Sequence, residues 1–273
     1  MALFTVFGGR GFIGSAIVSQ LEQDGHAVQV PERGDKRIYK ETLGTVIYAA
    51  GSGDCENDPV NVVQANLNLL SEIINNSYFE KLVYLSSTRL YLNQYETNEA
   101  VDLNISINDN RRLFNLTKIA AEELCLKSKR NFLIIRPSNV YGLAVDSPLF
   151  LPSIVRNALL NNNVDMYVTP AYSKDYVYVG DLVSAILKLL DKSITGIVNI
   201  ASGENTSAKE IANILELQTN CKINWLVKND VDYFHPIDIS KIKSFINYEP
   251  VSVVDNLNKM VCDFKLYFDN KNS

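Results

Sequence analysis

Short apolar runs alternate with longer amphipathic stretches along the chain. Leu3-Phe4-Thr5-Val6-Phe7 reads as a buried strand, and Ser15–Glu22 as a helix with Ile17, Val18 and Leu21 on one face. Further apolar runs at 27–30, 46–51, 82–88 and 132–135 read as strands buried on both faces. Between them, Val62, Val63, Leu67, Leu70 and Ile73 predict a helix over 59–76. Leu116, Ile119, Ala120 and Leu124 predict another over 113–128. Segment 35–45 is short, with room for a brief third strand but no full crossover helix. The polar stretch 93–112 reads as a loop. This strand–helix alternation predicts an α/β fold with a doubly wound parallel sheet.

Past residue 143 the alternation loosens. The pattern predicts helices at 151–161, 182–191, 207–217 and 253–268, with Asp181 and Ser207 as N-caps of the second and third. Strands are expected at 174–179, 196–201 and near 224–227. Residues 1–142, joined by about 175–201 returning to the main sheet, are expected to form one domain. Residues 143–174 and 202–273 then form a smaller α/β lobe on its C-terminal side.

Composition narrows the function classes. Of the 273 residues 47% are hydrophobic, enough for a large core. The net charge is −5 and no Lys/Arg cluster suggests a nucleic-acid surface. No apolar run reaches the roughly 18 residues of a membrane span. The N-terminus enters the first strand at once, so no leader peptide is expected. Four scattered cysteines read as reduced thiols, so a cytoplasmic location is expected. With only His26 and His235, no metal site is expected. The acidic run Asp54–Asp58 reads as a solvated loop, and His235 as a structural residue.

The chemistry begins in Phe7-Gly8-Gly9-Arg10-Gly11-Phe12-Ile13-Gly14, at the turn from the first strand into the first helix. One glycine permits the tight turn, one lets the backbone approach a pyrophosphate, and one lets helix and strand pack closely. The helix N-terminus offers free N–H groups to phosphates. Glu32 lies 18 residues beyond Gly14, at the end of the second strand, where an acidic residue grips ribose hydroxyls. Arg33 beside it suits a 2′-phosphate instead. Ala49, Ala50 and Gly51 end a strand with side chains small enough for a flat cofactor. Ser86-Ser87-Thr88 bring hydroxyls to the carboxyl end of the next strand, where open α/β sheets bind ligands.

These motifs carry a family resemblance. Together with Asn66, Tyr84–Tyr91, Lys118, Arg136–Gly142, Lys174–Asp181 and Asn199–Gly203, they resemble the extended short-chain dehydrogenase/reductases from about residue 3 to 250. That group holds nucleotide-sugar epimerases, dehydratases and ketoreductases. The resemblance implies a Rossmann-type sheet with the smaller lobe binding substrate. It implies cofactor contacts from Gly8, Gly9, Arg10, Gly11, Phe12, Ile13, Glu32, Arg33, Ala49, Ala50, Gly51, Asn66, Lys118, Pro137 and Asn139. Ser87, Thr88, Asn139 and Lys174 are implied for the substrate, a sugar on a nucleotide diphosphate. In relatives the helices at 59–76 and 113–128 pair across a two-fold axis, which implies a homodimer.

The resemblance also implies a catalytic Ser, Tyr and Lys. Ser87 lies four residues before Tyr91, and Lys118 is present. The residue four before Lys118, where the general-acid Tyr belongs, is Phe114. A phenyl ring has no proton to give. Three accounts stay open: a Tyr→Phe substitution made to trap a complex, another acid such as Ser87, Thr88 or a bound water, or a binding protein without catalysis. For the cofactor, Arg10 and Arg33 resemble the pair that brackets the 2′-phosphate of NADP in GDP-fucose synthases, while Glu32 argues for NAD. NADP is expected, with NAD the alternative. The expected activity is an NAD(P)-dependent keto-sugar reductase, with an epimerase holding NAD tightly, or a non-catalytic cofactor- or sugar-binding protein, as alternatives. The compact length and short 35–45 segment look more like reductases of 4-keto-6-deoxy sugars.

Overall fold

In the computed structural model, which describes residues 1–230 and 232–272, six parallel strands form the main sheet. They are β1 (Leu3–Phe7), β2 (Ala27–Gln29), β3 (Thr45–Tyr48), β4 (Lys81–Leu85), β5 (Phe132–Pro137) and β9 (Gly196–Ile200), in the order β2-β1-β3-β4-β5-β9. Between β5 and β9 the chain adds β6 (Asn139–Tyr141), β7 (Asn163–Met166) and β8 (Ser173–Tyr178). Beyond β9 come β10 (Asn205–Ser207) and β11 (Lys222–Trp225). The central runs β4 and β5 are buried on both faces, as parallel strands between helices must be, whereas the edge strand β2 is only partly covered.

One face of the main sheet is covered by α1 (Phe12–Gln23), α6 (Val179–Asp191) and α8 (Ser240–Phe245), packed through Ile17, Leu21, Leu182, Ile186 and Ile242. The other face carries α2 (Pro59–Val63), α3 (Leu69–Asn76) and α4 (Arg112–Lys127), with Leu70, Ile73 and Ala121 buried against β3 and β4. This is a doubly wound α/β sheet of Rossmann type. A separate core gathers α5 (Phe150–Asn161), α7 (Ala208–Thr219) and α9 (Val253–Asn272) around Val155, Leu215 and Phe264. Among the described residues no helix is long and apolar enough to cross a membrane.

Four local expectations need correction. Segment 35–45 holds no separate strand before β3: Lys36–Tyr39 is a 3₁₀ turn, started by the Asp35 carboxylate accepting from Arg37 N at 3.0 Å. Within that turn only Ile38 is buried, too little to anchor a strand. The predicted helix 59–76 runs its full length but is not α-helical throughout: a π-helical turn, Gln64–Asn68, joins α2 to α3. Asp181 does not cap α6, whose N-cap is Tyr178. Its carboxylate instead accepts from Val251 N at 2.8 Å, tying α6 to the segment before α9.

The fourth concerns segment 175–201. Its strand β8 lies outside the main sheet, in a three-stranded sheet ordered β10-β8-β6. Asp175 explains the departure. Its buried carboxylate accepts from Ser202 N at 2.8 Å and Gly203 N at 2.7 Å, so β8 is held across the turn that leaves β9 rather than beside it.

Candidate active site

Backbone contact shapes the glycine turn. Gly8 has φ +77°, and a Cβ there would come within 2.7 Å of the Ala49 carbonyl carbon and Ala50 N. A Cβ at Gly14 would sit 2.1 Å from Gly8 O, so the first helical turn rests directly on the end of β1. Gly11, the N-cap of α1, brings no side chain to the helix end, and no acidic residue lies in its first turn. Its leading N–H groups and positive dipole end are thus available to an anion.

The turn forms one wall of a cleft of about 780 Å³. Gly8, Gly9, Arg10, Gly11, Glu32, Arg33, Ala49, Ala50 and Gly51 all line it. At its rim Arg10 reaches across to β2, with its guanidinium 3.4 Å from both Glu32 Oε1 and Pro31 O. Both side chains are largely exposed, so this ion pair is weak. Arg10 and Glu32, opposed determinants in the sequence, are partners in the fold.

Asn66 sits in the π-helical turn and is fully buried. Its Nδ2 donates to Ser52 O at 2.9 Å and Thr117 Oγ1 at 3.1 Å, and its Oδ1 accepts from Ser52 N. These bonds fasten the loop after β3 to α4. The loop then runs over the α4 residues of interest: a Cβ on Gly51 would lie 3.4 Å from Lys118 Nζ, and one on Gly53 2.6 Å from an Arg111 terminal nitrogen.

Lys118 is buried, with its Nζ donating to Leu85 O at 2.8 Å. It lies 4.9 Å from the Tyr84 ring centre and 5.6 Å from that of Phe114. Burial pulls its pKa down to about 8, partly opposed by Glu122. An ammonium has three donors, and one protein acceptor leaves two for a ligand. Ser87 opens a 3₁₀ turn, Thr88–Tyr91, its Oγ accepting from Arg89 N at 3.1 Å. Its own O–H has no acceptor among the described residues. Thr88 beside it is buried.

Two arginines here were not singled out by sequence. Arg89 is clamped by Asp109 at 2.7 Å. Arg111 stacks on Phe114, its guanidinium carbon 4.8 Å from the ring centre. Arg111 is the N-cap of α4, three residues before Phe114, and the sequence pattern leaves it in the polar loop 93–112. Lys174 sits over the rings of Tyr172 (5.0 Å) and Phe234 (4.6 Å). Its pKa is pulled down to about 8, first by burial and then by the charges of Arg89 and Arg111.

Other candidates lie apart from the cleft. Phe12 packs toward Gly142, where a Cβ would come within 3.2 Å of its ring, and Ile13 joins the core under α1. Pro137 is buried at the end of β5. Exposed Asn139 donates to Asp175 O at 2.7 Å. His235 is sandwiched between Tyr95 and Tyr233, at 4.5 and 5.2 Å. Among the described residues no three His, Cys, Asp or Glu side chains cluster as metal ligands.

A model of the NAD dependent epimerase/dehydratase family matches residues 4–201. The chain belongs to that family. Among the family's named proteins, GDP-L-fucose synthase of Sinorhizobium fredii is 27% identical over 243 residues, covering 77% of each chain. The UDP-glucuronic acid 4-epimerase of Bacillus cereus, solved with UDP-glucuronic acid and NAD, superposes with TM-score 0.83 at 18% identity, covering 97% of this chain and 99% of that one. RMD of Pseudomonas aeruginosa, solved with NADPH, gives 0.77 at 20% identity, covering 97% and 99%. The family signature spans the main sheet and stops at Ala201, just past β9.

Proposed function

We propose that this chain is an NAD(P)-dependent oxidoreductase acting on a sugar attached to a nucleotide diphosphate, in the reductive direction on a keto sugar. The observation that carries the reading is Lys118: a buried ammonium with one protein acceptor, beside Gly51 of the cleft behind the glycine turn and bonded to Leu85 O, two residues before Ser87 in the chain.

The residues present fit a nicotinamide dinucleotide. The contacts of Gly8 and Gly14 leave no room for a side chain, the α1 N-terminus is uncapped, and the small residues Ala49–Gly51 line the cleft. When bound, that group supplies or accepts the hydride. Lys118 would hold a ribose diol with its two spare N–H donors. Ser87 would donate its O–H to a sugar carbonyl oxygen. Lys174 would face the nucleotide diphosphate, and Asn139 the sugar. We assign NADP as the preferred form: Arg33 lines the cleft, and Arg10 partly neutralises Glu32. NADPH is therefore expected to bind more tightly than NADH in a fluorescence titration, and Arg33→Ala to erase the difference. We also propose a homodimer through α2 and α4, whose Val60, Leu116 and Leu126 are exposed.

Phe114 supports a second reading, a cofactor- or sugar-binding protein without turnover. The deciding test is Phe114→Tyr, assayed for NAD(P)H oxidation with nucleotide keto sugars. A positioned acid contributes about 10²–10⁴ in rate, and a rise of that order establishes the reductase machinery. Unchanged, undetectable turnover alongside intact cofactor binding establishes the second reading.

A further inference from the structure

Arg111 stands in a cluster of buried polar groups without a polar partner for its own side chain among the described residues. Its Nε is buried without a partner, and among the described residues its side chain makes no hydrogen bond and no ion pair. The carboxylate that acts on its charge is already committed: Asp109 takes Arg89 and Arg111 N on Oδ1 and Asn115 on Oδ2. Other groups facing Arg111 are Arg89 and Lys174, whose charges repel it, and the Cys55 thiol. The guanidinium is also held in place, lying over the Phe114 ring with a terminal nitrogen against the Gly53 backbone. A fixed, half-buried guanidinium without a counter-ion is arranged for an anion from outside.

Position decides which anion. Lys174, the residue assigned to the diphosphate, stands over Tyr172 and Phe234. Arg111 lies on the ring of Phe114, which occupies the general-acid position and so faces the sugar. We propose that Arg111, supported by Arg89, binds an acidic substituent of the sugar itself, so that the substrate is a nucleotide-activated sugar acid rather than a neutral 6-deoxy sugar. Phe114 serves as the flat support for that guanidinium, which would meet a carboxylate through paired N–H donors. This inference rests on the nucleotide-sugar reading above.

The test is calorimetric titration of the full chain, saturated with NADP⁺, with two matched pairs: UDP-glucuronate against UDP-glucose, and GDP-mannuronate against GDP-mannose. UDP and GDP serve as sugar-free references. The acid member of at least one pair is expected to bind about tenfold to a hundredfold more tightly than its neutral partner. Arg111→Gln is expected to abolish that preference while changing the neutral sugar's affinity less than twofold, and Arg111→Lys to restore part of it. Thermal melts establish that both variants fold; if Arg111→Gln does not, the Arg111→Lys preference, expected between wild type and none, decides. Equal binding of acid and neutral partners overturns the proposal but leaves the nucleotide-sugar reading standing. Equal weakening of UDP, UDP-glucose and UDP-glucuronate by Arg111→Gln assigns Arg111 to the diphosphate and also overturns it. Failure of every nucleotide and nucleotide sugar to bind overturns both readings.

Discussion

Asn66 contributes to the site without lining the cleft. Its amide spends both donors and its acceptor on Ser52 and Thr117, so it sets the path of the loop that passes Lys118 and Arg111. Asn66→Ala is expected to lower stability by about 1–3 kcal/mol, since Ser52 and Thr117 lose buried partners. Dinucleotide affinity should fall with it, although the residue lies behind the loop. Urea denaturation and cofactor titration on one preparation check both. Sequence singled out Asn66 by resemblance, as a cofactor contact; its bonds to Ser52, 14 residues away, depend on how the helix and loop meet. Arg111 escaped notice for a related reason. An arginine beside another arginine in a polar stretch looks like a solvated charge, and only the fold shows that Asp109 is already taken.

Elements are joined by a buried ion pair. Arg136 on β5 donates from Nε and a terminal nitrogen to both Glu122 oxygens on α4, at 2.9 and 2.6 Å. Its other terminal nitrogen donates to Tyr91 Oη, which donates to Asn199 Oδ1 on β9. One network therefore fixes α4, the turn after β4, β5 and β9, the frame on which Ser87 and Lys118 are mounted. Removing one partner strands a buried charge, so Glu122→Ala is expected to cost about 3–5 kcal/mol, read as a lower denaturation midpoint. The strands and most helices were legible because apolar period alone decides which face is buried. The 3₁₀ turn at Lys36–Tyr39 and the position of β8 were not. Both hinge on single carboxylates, Asp35 and Asp175, whose partners an apolar pattern cannot reveal.

Across the whole molecule, the cost of keeping two amines out of water depends on pH. Burial lowers Lys118 and Lys174 from the usual 10.5 to about 8. Below pH 8 the folded chain bears both buried charges. Between about pH 8 and 10 the folded state sheds protons that the unfolded state keeps, so the unfolded state binds more and stability rises with pH. For Lys118 alone the gain is roughly 2–3 kcal/mol. Lys118→Met is expected to flatten the wild-type rise across that window, measured by urea denaturation at a series of pH values. The doubly wound architecture was visible in the alternation of strand and helix. The pairing of Arg10 with Glu32 and the convergence of Arg89, Arg111 and Lys174 were not, because they join residues far apart in the chain.

The wide turn at Gln64–Asn68 makes this site sensitive to length as well as to composition. A π-helical turn holds one residue more than an α-helical one. Deleting a single residue there, with every side chain that touches the cleft left intact, would restore ordinary helical pitch. Each residue of an α-helix advances the azimuth by about 100°, so Asn66 and the α3 core residues would no longer point the way they do together now. Either Leu70 and Ile73 would leave the sheet or the tether on Ser52 would let go. The extra residue works as a phase adjuster, letting one helix keep its apolar stripe in register with the sheet while aiming an amide at the loop over the cleft.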